Sequence, residues 1–295
     1  MKFVDVKNDV AFHKIFGSSH KTITLISFLN AVLLLEGEER IASVIIENPY
    51  LFPPSHGGKT VVLDVRATDH LGRHFIVEMQ VADKEGFEKR TQFYAARDYA
   101  AQIGKGATYE TLRPTYFIGI LNFSLTINPH YYSHHQTIDT VTGQALLKDI
   151  QYFFIELPKF KKKLHELETM MDKWTFFIKN SENLNIIPDN VTDEGLKAAY
   201  QEANEYTWNT AELNAYIDAE MRDNDQVQER VRAEEVGRQK GKVEGKIEGK
   251  IEGKIEGKIE GILGLHKIGI PLEKIAEGLR VTVEYAKNVI DSAEN

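Results

Sequence analysis

One pair of apolar runs limits what this chain can fold into more than any other feature: Thr60–Thr68 (TVVLDVRAT) and His74–Val81 (HFIVEMQV), separated by a short polar link. Both runs are rich in β-branched and large apolar residues. Asp69-His70-Leu71-Gly72 between them has turn chemistry, so the pair reads as a β-hairpin. Each run also carries a carboxylate where a strand should be apolar, Asp64 between Leu63 and Val65 and Glu78 between Val77 and Met79. A charge inside a sheet is costly unless it is paired or bound to a metal. With Leu71 at the turn centre, Asp64 lies seven residues before it and Glu78 seven after. Such a register sets the two carboxylates opposite each other on adjacent strands.

Carboxylates in that position repel and raise one another's pKa unless a cation lies between them. Oxygen donors of this kind suit Mg²⁺ or Mn²⁺, ions that polarise a phosphodiester and acidify a bound water. Gln80 points to the same face as Glu78 and can orient that water, although it lacks the charge of a lysine. The plainer reading leaves Asp64 and Glu78 as surface residues at a strand edge.

The flanking patterns place the hairpin in a larger frame. Asn8–Phe16 and Thr22–Leu35 read as helical and Ile41–Glu47 as a strand, with breaks at Pro49, Pro53-Pro54 and Gly57-Gly58 before the hairpin. Beyond it, Glu85–Ile103 reads as a helix and Thr115–Phe123 and Tyr152–Leu157 as strands, while the histidine- and asparagine-rich stretch between those strands reads as a loop. The order helix, three strands, helix, strand describes an α/β core with a mixed sheet. Phe160–Lys179 and Asp193–Glu235 continue as helical pattern.

The net charge of −8 is uneven: residues 180–235 hold 14 acidic and 4 basic side chains, whereas residues 1–130 are balanced at 14 of each. An acidic total therefore does not exclude a nucleic-acid partner for the N-terminal part. With no cysteine, a disulfide framework, a thiolate zinc site, an iron-sulfur cluster and a cysteine nucleophile are excluded. No apolar run approaches the ~20 residues of a membrane span, and Asp5, Lys7, Asp9 and Lys14 interrupt the N-terminal segment. The expectation is a soluble, cytoplasmic protein with no membrane partner. His130 and His134 have zinc-like spacing beside His135, but in a polar loop without a third ligand they are expected to be solvated. Lys161–Lys163 is a short basic patch that reads as a solvated helix start.

Gly241–Gly261 is a period-four repeat, GKVEGKIEGKIEGKIEGKIEG. As a helix it would align Val243, Ile247, Ile251, Ile255 and Ile259 in a drifting stripe, at about 0.8–1 kcal/mol for each interior glycine. The helix formers that precede it favour that reading over a strand or a flexible linker. Leu263–Ile290 resembles a short helix-turn-helix. The expected division is a core at 1–160, an acidic helical region at 161–236, the repeat at 237–261 and a small helical module at 262–295.

Asp64, the Glu78-x-Gln80 run and the element order resemble the PD-(D/E)XK nuclease fold, a restriction-endonuclease-like core, with glutamine where lysine is usual. Longer matches narrow the resemblance: Lys7–Gly17 (KNDVAFHKIFG), Leu63–Val65, Val77–Gln80, Arg90-x-x-x-Tyr94 and Phe154–Phe160 (FIELPKF) are similar to the Rpn family of recombination-promoting nucleases and transposases over about residues 1–260. The resemblance implies Asp64 and Glu78 as ligands of Mg²⁺ or Mn²⁺, the Met79 carbonyl as a third ligand, and Gln80 holding the nucleophile. Asp9 either completes the site or caps a helix starting at Val10. Arg90 is expected on the scissile phosphate with Tyr94 one turn further along, the alternative being an exposed arginine and a core tyrosine. The implied activity is DNA endonuclease of low sequence specificity in recombination, element mobility or defence, in a homo-oligomer assembled through the C-terminal region. Gln80 keeps a second reading open, a catalytically silent DNA-binding or assembly protein that retains the fold.

Overall fold

The register expected from the Asp69–Gly72 turn is the register observed. In the computed structural model, which describes residues 1–52 and 60–294, Val65 pairs with Val77, Arg66 with Ile76, Ala67 with Phe75 and Thr68 with His74. Gly72 takes the left-handed conformation the turn needs, at φ 78°, and its N–H donates to the Asp69 carbonyl. The Asp69 carboxylate accepts from the Leu71 and Arg73 N–H groups and so fixes the turn.

The elements run α1 (Asp9–Phe16), α2 (Thr22–Val32), β1 (Val44–Ile46), β2 (Tyr50–Leu51), β3 (Val61–Val62), β4 (Val65–Asp69), β5 (His74–Gln80), α3 (Phe87–Ala101), β6 (Thr115–Leu121), β7 (Tyr132–His135), β8 (Ile150–Glu156), α4 (Met170–Asn180), α5 (Glu194–Glu202), α6 (Thr210–Lys267), α7 (Leu272–Leu279) and α8 (Val283–Glu294). Six strands form one mixed sheet in the order β1-β4-β5-β6-β8-β7, with β5-β6 and β6-β8 parallel. β2 and β3 pair separately. The breaks at Pro53-Pro54 and Gly57-Gly58 lie outside the described residues.

Helices cover both faces of the sheet, which explains why β5 and β6 are nearly continuous apolar runs. One face buries Phe75, Val77, Ile118, Ile120 and Ile155 with side chains of α1, α2, α4 and α5, Trp174, Phe177 and Tyr200 among them. The other buries Ile76, Phe117, Leu121 and Phe154 under Phe87 and Ala95 of α3. By the alternation of a strand, Glu78 and Gln80 share the α3 face with Ile76.

Three elements differ from the sequence reading. The Thr60–Thr68 run is two strands, interrupted at Leu63-Asp64 because side chains of the hairpin replace the ladder there. Tyr132–His135 is an edge strand antiparallel to β8 where a loop was expected, with the His134 ring stacked on Phe153 at 4.3 Å. Phe160–Thr169 holds only a 3-10 turn at Leu164–Glu166 and no α-helix: Thr169 and Asp172 form a capping box that starts the helix at Met170, while the Lys179 ammonium donates to the carbonyls of Leu157 and Phe160.

The chain divides into two compact units, Met1–Met221 and Arg222–Asn295. No boundary falls at 160, since α4 and α5 contribute Trp174, Phe177, Ile178, Leu196 and Tyr200 to the main core. Within the second unit the repeat is helical, as expected, and α7 and α8 pack around Ile262, Ile275, Ala286 and Ile290. No described helix is long and apolar enough to cross a membrane.

Candidate active site

The β4–β5 ladder stops where the carboxylates begin. Asp64 donates its N–H to Glu78 Oε1 at 3.1 Å, and Asp64 Oδ2 accepts the Met79 N–H at 2.7 Å. Two side chains thus take the place of the next rungs and hold each other at the end of the hairpin. In an extended strand a residue's N–H and C=O share one edge, so the Met79 carbonyl faces the Asp64 side. Glu78 is 4% exposed and Asp64 half-buried.

Gln80 bridges to the next element. Its Nε2 donates to Glu78 Oε2 at 3.3 Å, and its Oε1 accepts from Arg90 Nη2. The Arg90 guanidinium also lies 5.6 Å from the centre of the Phe87 ring. Tyr94 is half-buried on the same helix, one turn further on. Burial first, and then the charges of Glu78 and Asp64, raise its phenol above the ordinary value.

From the other side of the sheet, α1 brings Asp9 close enough for its charge to act on both Asp64 and Glu78. Asp9 is not the helix cap. Asn8 is, its side chain accepting from the N–H groups of Val10 and Ala11, which leaves Asp9 in the first turn. His13, one turn along, donates through Nδ1 to the Asp64 carbonyl at 3.3 Å. Sequence reasoning missed His13; its only signal was the i, i+4 spacing from Asp9 within the KNDVAFHKIFG run.

The electrostatics of the pair are those of charge held out of water. Burial pushes the Asp64 carboxyl up to about 6, with Asp9 adding to the rise and the Met79 N–H and Arg90 opposing it. Glu78 is raised further above the carboxylate range, by burial and then by Asp64. The donor set consists of hard oxygens on an anionic, desolvated pair, which suits a divalent magnesium-like ion. Among the described residues no cluster of three or more His, Cys, Asp or Glu forms a ready-made metal centre. Two carboxylates completed by a carbonyl, water and a substrate phosphate are the usual complement for Mg²⁺.

The other sequence candidates lie apart from this constellation. His134 pairs with Gln151 and His135 with Ser133 on the sheet edge. Lys162 is paired with Asp172. Glu156 of the FIELPKF run has an architectural role: it is 1% exposed, accepts from the Leu125 and Thr126 N–H groups and the Thr126 hydroxyl, and pairs with Lys159 at 2.6 Å. It clamps the loop that follows β6.

A mixed sheet sandwiched by helices, with an acidic pair and Gln80 at the end of its central hairpin, defines a restriction-endonuclease-like protein of the PD-(D/E)XK class. The chain belongs to the PD-(D/E)XK nuclease family transposases, whose family model matches residues 6–232. No curated protein and no solved structure matches the chain.

Proposed function

We propose that the protein is a metal-dependent DNA endonuclease of low sequence specificity that acts in recombination, element mobility or defence. The observation that carries this reading is the acidic pair, Asp64 and Glu78, each carboxylate accepting a main-chain N–H from the other's strand and each raised by burial. Asp64, Glu78 and the Met79 carbonyl would hold Mg²⁺ or Mn²⁺, with Asp9 beside them. When bound, the ion supplies a Lewis acid for the phosphodiester and lowers the pKa of the attacking water.

The remaining roles belong to the chain's own groups. Gln80 Oε1 has a second lone pair beyond the one Arg90 uses, and that lone pair accepts a hydrogen bond from the attacking water and orients it. Arg90 supplies the cation that glutamine lacks and is placed to stabilise charge developing on the phosphate. Tyr94 donates its phenol O–H toward the same region. Burial of Glu78 and Asp64 strengthens each of these interactions by excluding solvent.

A second reading, a silent DNA-binding or assembly protein, rests on Gln80 in the position of lysine. One experiment separates the two: plasmid incubated with the full chain and Mg²⁺ or Mn²⁺, against a chelator control and against Asp64→Asn and Glu78→Gln. Cleavage that needs the metal and both carboxylates supports the enzyme. DNA binding without cleavage in any metal supports the silent form. We further assign the repeat helix to self-association of the cytoplasmic protein, because its apolar stripe is exposed in the single chain.

A further inference from the structure

Beside the acidic pair, on the same face of the sheet, lies a cleft of about 350 Å³ between α3 and the β8–β7 edge. Tyr152, Phe154, Leu125 and His135 line it with apolar and aromatic surface, and Glu88 and Thr91 of α3 supply polar groups. Glu78, Gly119 and Phe154 stand in one row across β5, β6 and β8. At strand spacing, the backbones of Glu78 and Phe154 are about 10 Å apart. Gly119 makes the row work: a Cβ there would meet Phe154 Cδ1 at 2.8 Å, so only glycine lets the ring lie over the sheet. The Phe87 ring packs edge-on to Phe154 and also lies 5.6 Å from the Arg90 guanidinium, linking the cleft to the arginine.

We infer that this cleft takes a single unstacked nucleobase, one bearing an exocyclic amino group, from the nucleotide next to a phosphate held at Glu78 and Arg90. The inference rests on the DNA-endonuclease reading and adds to it a base subsite. No lysine or arginine lines the cleft, and Glu88 adds negative charge, so a phosphate is disfavoured there and a flat neutral group is favoured. Aromatic walls give a base a stacking surface. A carboxylate accepts from an amino group such as cytosine N4 and repels a carbonyl in the same place. Thr91 adds a buried hydroxyl with no hydrogen-bond partner among the described residues. Partial burial at the sheet edge and His134 keep His135 below the ordinary histidine value, so its ring adds little positive charge at neutral pH. The wall at Leu125 is fixed before any ligand arrives, because Glu156 holds the Leu125 N–H at 2.7 Å.

The test uses the full chain and labelled duplexes that each carry one bulged cytosine, one bulged thymine or one bulged abasic site, with anisotropy read in Ca²⁺. Cytosine is expected to bind about tenfold more tightly than the abasic site, the range of one base stack, with thymine between. Tyr152→Ala should bring the cytosine-to-abasic ratio close to one; exposed His135→Ala should lower it and gives the check should Tyr152→Ala misfold. Glu88→Gln should merge cytosine with thymine while both stay above the abasic duplex. Equal affinity of the wild type for all three duplexes overturns the cleft and leaves the endonuclease reading intact. Failure to bind any of them overturns both. Discrimination that survives Tyr152→Ala and His135→Ala assigns the base to another surface, and a cytosine preference that survives Glu88→Gln removes the amino-group argument.

Discussion

At Asp64 the raised carboxyl carries a thermodynamic signature that does not depend on catalysis. Its folded pKa, about 6, exceeds the unfolded carboxylate value, so the native state binds the proton more tightly. Stability from this group is therefore highest at low pH and is lost as pH rises through that interval, by up to about 3 kcal/mol. Asp64→Asn keeps an acceptor for the Met79 N–H without the charge. It should melt several degrees above the metal-free wild type at neutral pH and nearly level with it at pH 4, and added Mg²⁺ should raise the melting temperature of the wild type alone. A Mg²⁺ shift retained in Asp64→Asn would place the ion elsewhere. The Gln80–Arg90 bond leads to a second expectation. Arg90→Gln should cut cleavage at least tenfold, and Gln80→Lys added to it should restore part of the loss by returning one cation to the same place. A double variant no faster than Arg90→Gln would show that the arginine serves only to orient its partners. Asp64 and Glu78 could be read directly from the sequence because hairpin register is arithmetic once the turn is known. The Asn8 cap, the His13 contact and the Gln80–Arg90 bond could not, since each depends on how α1 and α3 dock on the sheet.

Among the elements, the repeat helix has the most determinate surface. Val243, Ile247, Ile251 and Ile255 are 46–59% exposed, and the glycines from Gly241 to Gly257 have open space around them. Around the helix each apolar residue has its Lys neighbour about 100° to one side and its Glu neighbour about 100° to the other, and the stripe advances about 40° per repeat. Two copies aligned in parallel set the Lys flank of one against the Glu flank of the other along both edges, whereas antiparallel copies oppose like charges. Parallel pairing with a right-handed crossing is therefore expected. A single cysteine placed at Ile247, on the stripe where parallel copies meet, should cross-link readily to its counterpart in a second copy, and deletion of two repeats should preserve the pairing while shortening the helix by about 12 Å. Monomeric sedimentation of both the wild type and a chain ending at Gln239 would reduce the tract to a spacer. The sequence pointed to this helix through the helix formers that precede the repeat, since the period alone fits a strand as well. It did not show β7, whose histidines and tyrosines read as loop until Phe153 gave them a surface to stack on, nor the late start of α4, although Thr169-x-x-Asp172 carried that signal.

For the molecule as a whole, the division at Met221 separates the acidic pair from the repeat. A chain ending at Met221 keeps both hydrophobic clusters around the sheet. It should fold cooperatively and nick plasmid at close to the full-length rate, while the proportion of linear product from paired cuts falls, as gel densitometry over a time course would show. An unfolded fragment would mean that the second unit is needed for the stability of the first. The expected boundary at 160 failed for a physical reason: the segment after it has the polar composition of an appendage, yet its few large side chains, Trp174, Phe177 and Tyr200, are the ones that close the core.

The N-terminus is tied into the same late segment. Val4 donates to the Ala203 carbonyl, Phe3 bridges to Asn204, Asp5 N–H donates to the Tyr216 hydroxyl, and Lys14 pairs with Glu212. Residues 3–14 are thus held by some of the last residues of their unit, which are translated about 200 positions after them. At 5–20 residues per second, α1 waits about 10–40 s for those partners to be made. Through that interval Asp9 and His13 are not anchored beside Asp64, so a nascent or prematurely terminated chain carries the hairpin carboxylates without the helix that completes their surroundings. Under the proposed endonuclease function, the surroundings of the acidic pair are completed only once the chain has been translated as far as Tyr216.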